Sequence, residues 1–247
     1  MKNLINSYLC RLGIEIHGTD YIQKLKRFDL NKNEWIWQKE LLKGKANVIF
    51  DVGANRGNTT LKYLKVFPNA IIHSFEPFPD SYELFINLHK GNLNVKLNKY
   101  ALSNDIGKSI LNINKSIDTN SFLESIEIGA NSDKGCVSVG RMLVETNTLD
   151  NYCSKNNINA IDILKIDVQG YEMEVLRGAV EMLNNGRIKL IYIETYFKPQ
   201  YLHQPLFHDI SKLLYDYNFL LNDVYDPYFS NNNMIWCDSI FINANSI

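Results

Sequence analysis

The chain has 247 residues, 45% of them hydrophobic, and a formal net charge of −1 at pH 7. This length and composition predict one globular domain with a short extension, and the charge gives no general attraction to nucleic acid. Four cysteines without C-x-x-C spacing (Cys10, Cys136, Cys153 and Cys237) are typical of isolated thiols in a reducing compartment. Because neither a signal-peptide core nor a membrane-length apolar run is present, we expect a cytoplasmic protein without a membrane span.

Residues 1–45 form a predicted N-terminal helical extension. Apolar side chains recur at helical spacing within 4–12, 21–28 and 35–42. The most common role of such stripes is a helical cap packed on the main domain. A dimer face and a membrane-surface helix stay open as alternatives, and so does assembly into a homo-oligomer.

From residue 46 to 247 apolar strands alternate with helical segments. Continuous apolar strands separated by helices predict a parallel sheet covered on both faces. The predicted strands are 47–51, 70–76, 94–97 (continuing toward Ala101-Leu102-Ser103), 162–168, 189–195, 218–225 and 234–242. The predicted helices are 58–66, a helix capped by Asp80 and ending at Leu88, 172–183, and 206–215.

Residues 104–147 interrupt this alternation. The stretches SILNIN and CVSVG predict short strands, and the polar segment DTNSF, residues 118–122, lies between them. Long insertions of this kind commonly form lids or the walls of binding sites. We therefore expect the insertion to shape the substrate site.

The segment NVIFDVGANRGNT, residues 47–59, has the form of a buried strand, a glycine turn and a helix start. Its two glycines, Gly53 and Gly57, match the dinucleotide fingerprint G-x-G-x-x-G poorly. Asp51 at the strand end would repel a diphosphate and attract a cationic ligand such as S-adenosylmethionine (SAM), which carries an ammonium and a sulfonium. The alternative is an ordinary α/β turn with a capping aspartate.

Further acids end the other predicted strands, where open α/β sheets bind their ligands. Glu76, followed by Pro77, can accept hydrogen bonds from both hydroxyls of a ribose. Asp167 and Glu194 end two later strands, where a charge is costly unless it is paired or functional. Each could instead be structural: Glu76 as a solvated end or a cap, Asp167 as a helix cap, and Glu194 as a partner of a lysine.

These segments resemble the FkbM-type SAM-dependent methyltransferases. The resemblance rests on DVGANRGNTT, Glu76-Pro77, Ala101-Leu102-Ser103, KIDVQGYEMEVLRGA and ETYFKPQYLHQPLF, in this order over about residues 46–243. It implies an α/β class I methyltransferase fold, a Rossmann-like seven-stranded sheet whose last strand is antiparallel. It also implies SAM as cofactor and O-methylation of a hydroxyl on a sugar, glycan or related natural product. Family members commonly have Glu where this chain has Gln169.

The predicted cofactor-binding residues are Asp51, Gly53, Ala54, Asn55, Gly57, Asn58, Thr59, Glu76, Pro77, Ala101, Leu102 and Asp167. The acceptor hydroxyl needs a general base, for which Asp167 and Glu194 are the first candidates and His203 and His208 the second. The predicted substrate-binding residues are Ser121, Tyr171, Glu172, Tyr201 and His203. No metal is expected, although Asp167 and Glu194 together could supply oxygen ligands to a divalent cation.

Two competing functions stay open at this stage. An NAD-dependent oxidoreductase would use a similar sheet, but Asp51 and the missing third glycine disfavour it. A SAM-binding protein without catalysis is the other, and the acids at 167 and 194 disfavour it. The expected partner is a small-molecule or glycan acceptor rather than a nucleic acid, and the sequence does not identify it.

Overall fold

The computed structural model describes residues 33–126 and 136–245. The helices predicted within residues 1–32 lie outside this range. The chain divides into two compact units, Met1–Trp37 and Gln38–Ile247, and helix α1 spans Glu34–Leu41. The limits expected from the sequence, 1–45 and 46–247, stay a prediction.

A seven-stranded sheet forms the centre of the larger unit. Its strands are β1 (Val48–Val52), β2 (Ile71–Phe75), β3 (Val95–Asn98), β7 (Ile161–Ile166), β8 (Ile188–Tyr196), β9 (Phe219–Ser230) and β10 (Asn233–Asn243). They follow the order β3-β2-β1-β7-β8-β10-β9. β1 pairs in parallel with both β2 and β7, and β7 pairs in parallel with β8. β10 is antiparallel to β8 and to β9. This is the predicted class I methyltransferase fold, and it is confirmed.

The helices that cover this sheet are α2 (Asn58–Val66), α3 (Pro79–Leu88), α4 (Leu149–Lys155), α5 (Glu172–Arg177), α6 (Val180–Asn184) and α7 (Phe207–Asp216). Every residue of β7 is buried, as expected for a central parallel strand with both faces covered. In the described part of the chain, no helix is both long enough and apolar enough to cross a membrane.

A second, three-stranded sheet departs from the prediction for residues 94–103. Instead of continuing β3, Ala101–Leu102 forms a separate strand, β4, that pairs in parallel with Thr146 and Asn147. The insertion supplies the other two strands, β5 (Gly107–Asn114) and β6 (Ser138–Asn147), which pair antiparallel. The short strands predicted from SILNIN and CVSVG are therefore confirmed.

Three helix predictions need correction. Helix α3 begins at Pro79 after the N-cap residue Phe78, so Asp80 lies in the first turn and is not the cap. Proline suits this first position because its missing N–H would have no helical partner there. The helix predicted over 172–183 is two helices, α5 and α6, which meet at Gly178. Helix α4 was not predicted, although Thr148 caps it by accepting a hydrogen bond from the N–H of Asn151.

Gly178 packs closely against the backbone of another segment of the chain. A Cβ atom at this position would lie 2.0 Å from the carbonyl oxygen of Ser103, which follows β4. Only glycine permits this contact, which packs the junction of α5 and α6 against the corner between the two sheets.

We predict that Gly178→Ala destabilises the protein by about 2 kcal/mol, because the backbone of Ser103 must move. For a chain of this size the melting temperature should fall by roughly 4–8 °C, measured by calorimetry. Gly140→Ala is the matched control, because a Cβ there meets nothing within 4 Å. Equal melting temperatures for the two variants would contradict the contact.

Candidate functional site

A cleft lies at the carboxyl ends of β1, β2 and β7. This is the position at which open α/β sheets bind ligands. Its lining is Val52, Gly53, Asn55, Phe75, Glu76, Pro77, Ala101, Leu102, Leu111, Ile117, Asp118, Asn120, Phe122, Asp167, Val168 and Gln169.

The glycine turn after β1 forms the floor of the cleft. Gly53 and Gly57 have positive φ angles of 76° and 86°. A Cβ atom on Gly53 would lie 1.8 Å from the carbonyl oxygen of Asp167, and one on Gly57 would meet Phe85 and His89. The glycines are thus required by close packing against the protein itself, besides any approach to a ligand.

Glu76 follows the last residue of β2, and its carboxylate binds backbone N–H groups on two sides of the cleft floor. One carboxylate oxygen accepts the N–H of Asn55 at 2.8 Å, and the other accepts the N–H of Phe78 at 2.8 Å. Burial raises the pKa of Glu76 to about 7, although these two backbone hydrogen bonds oppose the shift. The side chain lines the cleft, so its remaining lone pairs face the ligand space.

Lys165, on β7, is a buried cation surrounded by oxygen atoms. Its ammonium lies 3.4 Å from Asp51 and 3.5 Å from Asp167, and it donates to the carbonyl oxygen of Gly53 at 3.2 Å. Burial lowers the pKa of Lys165, but the charges of Asp167 and Asp51 outweigh this and raise it above its ordinary value. The ammonium therefore stays charged and joins β1, β7 and the glycine turn.

Asp51 is fully buried within β1 and does not line the cleft. Thr60 donates to its carboxylate at 2.7 Å, and Lys165 faces the other oxygen. The charge of Asp51 faces Lys165 rather than the cleft, and its contact with a cofactor stays a prediction.

Asp167 and Glu194 are connected by the carboxamide of Gln169. Nε2 of Gln169 donates to Asp167 Oδ1 and to Glu194 Oε2, both at 2.9 Å. Tyr196 also donates to Glu194 Oε2, at 2.6 Å. Asp167 lines the cleft, whereas Glu194 is buried and does not. Burial, with the charges of Asp167 and Glu172 adding to it, raises the pKa of Glu194 well above its ordinary value.

Three of the predicted substrate-binding residues, Ser121, Tyr171 and Tyr201, do not line the cleft but contact residues that do. Ser121 donates to the carbonyl oxygen of Gln169 at 2.7 Å, and the ring of Tyr171 packs on Phe122. The Tyr201 hydroxyl lies within hydrogen-bonding distance, 3.1 Å, of Gln169 Oε1. These residues are placed to support residues that do line the cleft.

Glu172 and the two histidines also lie outside the cleft lining, and their roles stay predictions. Glu172 is buried, and its Oε1 accepts the N–H groups of Val168 and Gly170, so it stabilises the 168–170 turn from below. His203 and His208 are exposed, and neither lines the cleft.

The predicted cofactor residues divide into two groups. Gly53, Asn55, Glu76, Pro77, Ala101, Leu102 and Asp167 line the cleft, whereas Asp51, Ala54, Gly57, Asn58 and Thr59 do not. Ala54 helps to shape the turn, because its N–H donates to the carbonyl oxygen of Phe75.

The insertion supplies one wall of the cleft, through Leu111, Ile117, Asp118, Asn120 and Phe122. Asp118 accepts a hydrogen bond from the Asn55 side chain at 2.7 Å and pairs with Arg56 at 3.3 Å. The sequence signal for this wall was the polar segment 118–122. The apolar members Leu111 and Ile117 were missed, because they look like ordinary core residues.

Within residues 33–126 and 136–245, no group of three or more His, Cys, Asp or Glu side chains is arranged to hold a metal ion. Asp167 and Glu194 instead share the amide of Gln169, which occupies the space between them.

Comparisons with known proteins agree with this geometry. The family model for the methyltransferase FkbM domain matches residues 51–221. The 2-O-methyltransferase NoeI of Sinorhizobium fredii is 28% identical over 66% of this chain and 68% of its own length. The hexuronic acid methyltransferase AglP of Haloferax volcanii is 26% identical over 76% of this chain and 75% of its own.

Among solved structures, methyltransferase FkbM from Methylobacillus flagellatus superposes with a TM-score of 0.51 at 11% identity. The superposition covers 78% of this chain and 43% of that chain. At this identity the likeness supports the fold alone.

The buried carboxyl of Glu172 predicts a pH-dependent stability. Burial raises the pKa of Glu172 to about 7 from an ordinary value of 4.5, against the three backbone hydrogen bonds that lower it. The folded state therefore loses stability as the pH rises from 4.5 to 7, by about 3 kcal/mol. Glu172→Gln keeps the acceptor oxygen and removes the charge, so it should be more stable than the wild type above pH 7 and equal to it below pH 4.5.

Urea unfolding across pH 4–8 measures this difference. Glu40→Gln, at an exposed position on α1, is the control and should follow the wild type at every pH. If the free energies of unfolding of Glu172→Gln and the wild type differ by the same amount at every pH, the carboxyl of Glu172 does not titrate between pH 4 and 8.

Proposed function

The chain belongs to the FkbM methyltransferase family, and we propose that it transfers a methyl group from SAM to a hydroxyl of a sugar or sugar-containing acceptor. The names of two relatives, a 2-O-methyltransferase and a hexuronic acid methyltransferase, support this acceptor class.

The observation that carries the proposal is the charge of the cleft. Its lining includes three acids, Glu76, Asp118 and Asp167, and no Lys, Arg or His among the described residues. Arg56 pairs with Asp118 and Lys165 pairs with Asp167, but neither cation lines the cleft, so the acids there still favour a cationic ligand over a phosphate. The residues present therefore fit SAM, and they disfavour both NAD and a nucleic acid acceptor.

Several residues of the cleft would hold the cofactor. Glu76 would accept hydrogen bonds from the ribose hydroxyls, since its backbone partners leave lone pairs on both oxygens. Leu102, Leu111 and Phe122 would supply apolar surface for the adenine ring. When bound, SAM supplies a methyl group that its sulfonium has already activated.

Asp167 is the general base in this proposal. It is the acid on the β7 side of the cleft, and it would accept the proton of the acceptor hydroxyl on a carboxylate oxygen. Lys165 lies 3.5 Å from Oδ2 and Gln169 donates to Oδ1, so both oxygens have a fixed neighbour. The insertion would enclose the acceptor and position it, and positioning of this kind can lower the activation free energy by several kcal/mol.

We predict that Glu76 links SAM affinity to pH. Its pKa of about 7 means that the free protein carries a proton on this carboxyl at pH 6, and ribose hydroxyls donate best to the ionised form. SAM affinity should therefore rise with pH up to about 7 and then level off, as calorimetric titration measures. Glu76→Gln should bind SAM roughly tenfold more weakly with no such rise, since a hydrogen bond to a charged group is lost.

Glu83→Gln, an exposed change on the neighbouring helix α3, should keep the wild-type affinity and pH dependence. If the affinity of the wild type is independent of pH, or if NAD binds and SAM does not, the assignment of Glu76 and of the cofactor is wrong.

The function itself is tested with labelled SAM and a panel of sugars and glycans, followed by mass spectrometry. We expect a methylated sugar from the wild type, and a loss of about 10²–10⁴-fold in turnover for Asp167→Asn, the range typical of general-base removal. SAM affinity should fall far less than turnover. A wild-type turnover for Asp167→Asn would exclude this residue as the base, and dependence on added magnesium would favour metal-assisted chemistry.

A further inference from the structure

We propose that Gln169 and Glu194 act together as positioning residues: Glu194 holds the carboxamide of Gln169, and the carboxamide holds the carboxylate of Asp167. The inference rests on the proposed function, because it concerns how the proposed base is oriented. Asp167 and Glu194 look equivalent in the sequence because both end a strand, and the inference gives them different roles.

The hydrogen-bond geometry favours this division. Nε2 of Gln169 has two hydrogens, and it has two acceptors at 2.9 Å, Asp167 Oδ1 and Glu194 Oε2. The opposite end of the amide, Oε1, lies 3.1 Å from the Tyr201 hydroxyl, which can donate to it. The same hydroxyl has one hydrogen and also lies 3.1 Å from the carbonyl oxygen of Thr119, so the orientation of the amide depends mainly on its two hydrogen bonds to the carboxylates.

The backbone of the turn directs the Gln169 side chain to this place. Gln169 has a positive φ of 56°, and its carbonyl oxygen accepts a hydrogen bond from Ser121 at 2.7 Å. A conformation that is unfavourable for a non-glycine residue persists when its surroundings hold it. Ser121 and the buried Glu172 beneath residues 168–170 supply that support.

Glu194 cannot itself take the role of the base. It is buried, it does not line the cleft, and its Oε2 is engaged by both Gln169 and Tyr196. Glu194 therefore acts on Asp167, the proposed base, only through the amide of Gln169. A glutamine at position 169 suits this role better than a glutamate, because a third carboxylate would donate no hydrogen bond to the two others and would repel them.

The first test compares two pairs of variants in steady-state methylation kinetics and in SAM titration. Gln169→Met keeps the length of the side chain and removes its hydrogen bonds. It should lower kcat by about 10- to 100-fold, the scale of a misplaced catalytic group. The KM for the acceptor and the affinity for SAM should change by less than about threefold. Tyr201→Phe should lower kcat much less, because both carboxylates still hold the amide.

Glu194→Leu and Glu194→Gln separate positioning from catalysis. Glu194→Gln keeps an acceptor for Gln169 and Tyr196, so kcat should stay within about threefold of the wild type, whereas loss of a general base costs about 10²–10⁴-fold. Glu194→Leu should lose as much activity as Gln169→Met. The double variant Gln169→Met/Glu194→Leu should be no worse than either one, because residues that act through one another show non-additive losses.

The pH dependence of Gln169→Glu is the second test. When protonated, the introduced carboxyl donates one hydrogen bond to one of its two neighbours, and when ionised it donates none. The activity of this variant relative to the wild type should therefore recover as the pH is lowered, whereas the deficit of Gln169→Met should not depend on pH. The titratable and charged groups around this position are Asp167 with Lys165, Glu194 with Tyr196, and Tyr201 with Cys136, and Glu172 and Asp238 also act on Glu194.

Three outcomes would overturn the inference while leaving the proposed function intact: a wild-type kcat for Gln169→Met, a large loss for Glu194→Gln, or multiplicative losses in the double variant. A wild-type protein that binds SAM but methylates no sugar or glycan would instead overturn the proposed function, and with it the role of Gln169.

Discussion

The buried ammonium of Lys165 is the interaction on which the site depends. It joins the carboxylate inside β1, the carbonyl of the glycine turn and the carboxylate that follows β7. A charge this deeply buried is tolerated only when it is paired, and removing one partner of such a group typically costs about 3–5 kcal/mol. The cofactor side of the cleft and the side of the proposed base are therefore positioned by the same cation.

Much of the fold could be predicted from local sequence. The continuous apolar runs of β1, β7 and β8 and the glycine turn at Gly53 indicate a parallel sheet with a ligand-binding edge. Glu76 and Asp167 were predicted from the same pattern, and both line the cleft at the ends of their strands, although their roles there stay predictions. The predictions that were wrong, such as the cap at Asp80 and the single helix over 172–183, depend on local caps and helix breaks that apolar periodicity does not encode.

The substrate-side residues could not be predicted because their roles depend on partners that are distant in sequence. Glu172 looks like a free acid beside a strand end, but its carboxyl is directed under the 168–170 turn. Gln169 looks like a departure from a family pattern, and its meaning appears only when Glu194 and Tyr201 are brought beside it. Asp51 shows the opposite case, since a charge that looked available to a ligand faces Lys165.

The contact of Asp118 with Asn55 and Arg56 has a consequence for how a ligand enters and leaves. Asp118 joins the insertion wall to the glycine turn, and the side chains of Arg56 and Asp118 are 44% and 55% exposed. An ion pair between exposed groups contributes only about 0–1 kcal/mol and is screened by salt. The contact of Asp118 with the glycine turn is therefore weaker than the buried network around Lys165. A ligand can then exchange quickly, at a rate that depends on ionic strength, while the buried network stays in place.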